Sequence, residues 1–171
     1  MTEPTRRPVV GVMGAGEGAS ERDCALAERL GERIAEQGWI LLTGGRDCGV
    51  MAAASRGAKR VAGSLTIGIL PSSAGPVAPD VDVAVFTAMG EARNAINVLS
   101  SRVVVACGTG GPGTASEVAL AVKNGKPVVL LAAPPAARAY FATLGGDVAC
   151  VESVDEAIAS IRDVLARSVE R

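Results

Sequence analysis

A chain of 171 residues, 49% of them apolar, is long enough to bury its own core, and it reads as one domain spanning 1–171. A formal net charge of -1 offers nucleic acid no general attraction. No stretch reaches the roughly 18 uninterrupted apolar residues of a membrane span. The complete lack of histidine excludes the Ser-His-Asp triad, the commonest general base and most transition-metal sites.

The first segment, MTEPTRRPVVGVMG, carries two arginines but runs into glycines rather than a long apolar signal core. A cytoplasmic protein is the expectation. PVVGVM (8–13) reads as a strand. Apolar residues at helical spacing mark a helix over 20–37, with Ser20 as its N-cap and Asp23 three residues on. WILLT (39–43) is the next strand, and 50–62 the next helix. LTIGIL (65–70) and DVAVF (82–86) are strands separated by a plain loop, 71–81. A helix over 89–101 leads to the strand VVVAC (103–107). A helix over 114–125 follows, then the strand PVVLL (127–131). Segment 132–147 carries no clear pattern. A weaker strand, 148–152, and a closing helix, 154–168, complete the chain.

Several strands are apolar at successive positions, the habit of a parallel sheet covered on both faces. With the strand–helix order, this predicts an α/β, Rossmann-like, doubly wound domain with a mainly parallel sheet of about seven strands. The cysteines Cys24, Cys48, Cys107 and Cys150 are scattered, with no CxxC pair. They read as reduced, mostly buried thiols, and no metal site is expected.

Three glycine clusters fall at carboxyl ends of strands, where ligands sit in such sheets. They are Gly14, Gly16 and Gly18; Gly44 and Gly45; and Gly108, Gly110, Gly111 and Gly113. The third precedes a helix whose first N–H groups lack internal partners and carry the positive end of a dipole. A phosphate fits there, with the hydroxyls of Thr109 and Thr114 as further donors. The alternative is a tight strand-to-helix turn capped by Thr114. The first cluster fits G-x-G-x-x-G/A, but the second strand ends without the ribose-binding acid, so NAD is not predicted.

GGPGTASE (110–117) resembles the GGxGTxxE core of the lysine decarboxylase-like superfamily. That group holds the Lonely Guy phosphoribohydrolases and bacterial molybdenum cofactor carriers. VVGVMGAGEG, LLTGGRDCGVMAAASRGA, TIGILP and MGEARNAI extend the resemblance over residues 9 to about 131. The resemblance implies roles for Glu117 and Arg93 at a ribosyl bond, where a carboxylate would stabilise positive charge developing on the sugar. A structural Arg93–Glu117 ion pair is the alternative. The superfamily's older name does not fit. A pyridoxal-phosphate decarboxylase needs a Schiff-base lysine, whereas Lys123 and Lys126 read as complements to a helix C-terminus and Lys59 as a surface residue.

The chain departs from the hydrolases at several places. Thr109 replaces a proline, Ser116 an acid and Arg46 a glycine. The arginine-bearing helix lacks histidine and has Asn94 in place of lysine. The GEARN form is closer to the shorter bacterial branch that includes the cofactor carriers. The leading reading is therefore a binder of a phosphorylated small molecule, either a nucleotide or the molybdenum cofactor. Its contacts would be Gly14, Gly16, Gly44, Gly45, Asn94, Thr109, Gly110, Gly111, Gly113 and Thr114. The sequence requires no resident cofactor. The alternative is a nucleoside 5′-monophosphate phosphoribohydrolase using Glu117 and Arg93, and a third class is a sensor whose ligand alters assembly. The resemblance also implies a homo-oligomer, for which the small side chains of 51–58 and 115–122 would permit close helix packing.

Overall fold

The computed structural model describes residues 6–108 and 110–169. Seven parallel strands form one sheet: β1 (Val9–Met13), β2 (Ile40–Thr43), β3 (Thr66–Leu70), β4 (Val83–Phe86), β5 (Val103–Cys107), β6 (Val128–Leu131) and β7 (Val148–Val151). Their order across the sheet is β4-β3-β2-β1-β5-β6-β7. The chain moves outward from β1 to one edge, then returns to lay β5 against β1. That reversal is the topological switch point of a doubly wound fold.

Among the described residues six α-helices cover the sheet: α1 (Glu21–Glu36), α2 (Gly49–Ala58), α3 (Asn94–Ser100), α4 (Pro112–Lys123), α5 (Pro135–Thr143) and α6 (Val154–Val169). Successive residues of β5 serve opposite faces. Val103, Val105 and Cys107 join a core with Leu30 and Ile34 of α1, Val50 of α2 and Ile158 of α6. Val104 and Ala106 join a second core with Val98 of α3, Val118 of α4 and Phe141 of α5. Both faces are buried, so the strand has no polar positions.

Ser20 caps α1 as its spacing predicts, accepting a 3.0 Å hydrogen bond from the Asp23 amide. Helices α1 and α2 meet backbone to backbone. A Cβ on Gly31 would lie 2.0 Å from the Ala54 carbonyl oxygen, and one on Gly57 would lie 1.8 Å from that of Glu28. The small residues of 51–58 thus serve a contact inside the chain. No helix joins β3 to β4, and β4 is an exposed edge strand.

Other details correct the sequence reading. Helix α2 ends at Ala58, not at residue 62. Segment 89–101 is a short 3-10 turn, Gly90–Arg93, followed by α3. Helix α4 starts at Pro112, two residues before Thr114. Segment 132–147 contains α5. Of the four thiols only Cys107 is buried; Cys24 and Cys48 are half-buried and Cys150 is exposed. Lys126 does not serve the helix before it. Its Nζ donates to the carbonyls of Leu99 and Ser101, at 2.9 and 2.8 Å, and so closes the end of α3. Lys59 pairs with Asp82 at 2.8 Å.

Candidate functional site

A cleft of about 350 Å³ opens beyond the carboxyl ends of β1, β2 and β5. This volume lies at the lower end of the range for small-molecule sites. All three glycine loops reach the cleft. Gly14 and Gly16 line it from the first, Gly44 from the second, and Gly110, Gly111 and Gly113 from the third. Gly45 does not line it. It turns the chain at φ +71°, where an added Cβ would meet Gly68 at 2.9 Å. Thr109 lies outside the described residues.

The third loop leads straight into α4. Gly110 adopts φ +64°, a conformation that favours glycine. Gly111 is the N-cap, and among the described residues no side chain caps the helix. The first amides of α4 therefore face the cleft with their dipole uncompensated by a side-chain oxygen of the described residues. A Cβ built on Gly111 or Gly113 meets nothing within 4 Å, so both positions border open space. Thr114 is buried beneath this loop, its side chain against Gly110.

Arg93 enters from the end of the 3-10 turn, just before α3, and Glu117 from α4, each with its side chain 7% exposed. Arg93 Nη1 stands 4.0 Å from Glu117 Oε1, a loose ion pair. The Arg93 Nε is buried and has no hydrogen-bond partner among the described residues. Gly44 gives the guanidinium its place, because a Cβ there would lie 2.6 Å from Nη1. Asn97 Nδ2 donates to Glu117 Oε1 at 2.9 Å. Burial raises the Glu117 carboxyl above its ordinary range, against the pull of Asn97 and Arg93. Burial lowers the Arg93 guanidinium, opposed by Glu117 and Glu91.

Asn94 also lines the cleft. Its Nδ2 donates to Ser116 Oγ at 3.3 Å, and that hydroxyl donates to the Gly113 carbonyl at 2.7 Å. These bonds tie the start of α3 to the start of α4.

Sequence reasoning missed Asn97. Its signal was a polar residue four positions after Arg93, between the apolar Ile96 and Val98. Arg46 entered only as a departure from a glycine, yet it lines the cleft together with Met51 and Glu91. Among the described residues, no three His, Cys, Asp or Glu side chains come together as metal ligands. No helix there is long and apolar enough to cross a membrane.

Residues 7–158 match the SLOG cluster4 family, LDcluster4. The chain belongs to the SLOG cluster4 family. An uncharacterized family relative from Archaeoglobus fulgidus is 45% identical over 125 residues, 73% of this chain and 80% of that protein. Two solved structures are also similar to this SLOG chain. The molybdenum cofactor binding protein of Rippkaea orientalis is 50% identical, with a TM-score of 0.90 over 95% of this chain and 99% of that one. The molybdenum cofactor carrier protein of Chlamydomonas reinhardtii is 48% identical, with a TM-score of 0.89 over 94% and 99%. The superfamily resemblance and the Rossmann-like arrangement are both borne out.

Proposed function

We propose that this protein binds the molybdenum cofactor as a carrier, with the cofactor's terminal phosphate at the N-terminus of α4. The uncapped start of that helix, facing a glycine-lined cleft, carries the proposal. The two relatives at 48–50% identity, described as binding or carrying this cofactor, support it. The donor set fits such cargo. Backbone amides, Arg93 and Asn94 suit a phosphate ester, and the cofactor's own dithiolene would hold the metal. The same reading makes the chain one cytoplasmic domain with no nucleic-acid partner.

The test is binding of cofactor released anaerobically from a molybdoenzyme, comparing wild type with Gly111→Asp. Position 111 has open space and φ -148°, so the variant should fold while placing a carboxylate in the anion site. Loss of binding in a folded variant supports the reading, and unchanged binding refutes it.

A second reading, nucleoside 5′-monophosphate hydrolysis, is favoured by the position of Glu117 and Arg93 on the same cleft. Base release by wild type that disappears in Glu117→Gln would establish it. Binding without turnover of any nucleotide would dismiss it.

We also propose a homo-oligomer. A largely apolar groove runs between the 3-10 turn and α4, lined by Ala92, Ala95 and Leu120. Leu99 and Met89, 52% and 51% exposed, stand on the same stretch of chain. A second copy of α3 and α4 would cover this face.

A further inference from the structure

We infer that Arg46 is a second anion contact of the bound ligand, and that Glu17 on the opposite lip competes with the ligand for it. The inference rests on reading the cleft as a phosphate-ester site, and it specifies that ligand as one with two separated anionic groups.

Arg46 follows Gly44 and Gly45 at the end of β2, and it lines the same cleft as Arg93 and the α4 loop. Its Nη2 stands 3.7 Å from Glu17 Oε1, and Glu17 belongs to the loop after β1. The pair therefore bridges two glycine loops. Among the described residues the Arg46 guanidinium donates no hydrogen bond, so its planar fork has donors free for a bidentate acceptor. The two side chains are 46% and 86% exposed, and such an ion pair contributes little. An anionic ligand can displace Glu17 at small cost.

The cationic groups of the cleft lie at two levels. Arg93 and the first amides of α4 are at the floor, the guanidinium buried. Arg46 is at the rim, near enough to lower the Arg93 guanidinium further. A simple phosphate monoester needs only the floor. A ligand with phosphate at one end and a second anionic group at the other would engage both. The molybdenum-dithiolene end of the proposed cargo is such a group.

The experiment measures binding of molybdenum cofactor to wild type, Arg46→Gln, Glu17→Gln and Gly111→Asp, each checked for folding by circular dichroism. The inference predicts about tenfold weaker binding in Arg46→Gln, for loss of a charged hydrogen-bond donor. It predicts about twofold to fivefold tighter binding in Glu17→Gln, for loss of a surface ion pair. Unchanged or weaker binding in Glu17→Gln, or unchanged binding in Arg46→Gln, overturns it. If Gly111→Asp abolishes binding while Arg46→Gln does not affect it, the phosphate site stands and this inference alone falls. If wild type does not bind the cofactor, both fall.

Discussion

Glu117 holds a proton more tightly in the folded chain than its ordinary value of 4.5 implies, because burial outweighs the Asn97 hydrogen bond and the Arg93 charge. The sign of the stability effect follows from linkage. Its contribution is complete below the ordinary carboxylate value and is lost as pH rises through the raised one. Glu117→Gln should therefore gain melting temperature relative to wild type as pH rises from 4.5 towards neutrality. Thermal melts at a series of pH values check this; a constant difference would contradict it. Asn97→Ala removes the hydrogen bond that holds the carboxylate. It should cost about 1–3 kcal/mol by urea unfolding at neutral pH, the range for stranding a buried polar partner. Cys107 tests burial from another side. Its thiol is pushed up to about 12, mainly by burial, so alkylation of native protein at neutral pH should mark exposed Cys150 and spare Cys107.

At the scale of elements, the contact between α1 and α2 depends on two glycines. Gly57→Ala would drive a methyl group into the Glu28 carbonyl, so the helices must separate. The expected cost is about 1–3 kcal/mol, as for other overpacked cores. Gly18→Ala, which meets nothing, should stay within about 0.5 kcal/mol. Denaturation of both variants gives the comparison. The strands were readable because they carry runs of successive apolar residues, and the glycine loops because each ends a strand. Helix α5 was not readable: Pro134 and Pro135 look like a loop, although proline is tolerated in a first helical turn. The end of α2 was hidden because Val61 and Ala62 extend the apolar pattern past the point where the chain turns. Asn97 was hidden because its partner lies twenty residues away on another helix. Spacing within one helix does not reveal such a contact.

For the whole molecule, the switch point between β1 and β5 gathers glycine loops distant in sequence over one cleft. In the proposed homo-oligomer, a second copy would cover the groove between the 3-10 turn and α4, next to that cleft. Light scattering at micromolar concentration should show at least a dimer, and Leu99→Asp should weaken it by placing a charge in the apolar contact. A monomeric wild type would contradict the assembly proposal.

The central claim is that the start of α4 holds the phosphate of a molybdenum cofactor. The most direct measurement is the molybdenum content of protein incubated anaerobically with released cofactor and then separated by gel filtration, for wild type and Gly111→Asp. The account predicts molybdenum co-eluting with wild type and absent from a folded Gly111→Asp. Equal molybdenum in the two proteins, or none with wild type, would contradict it.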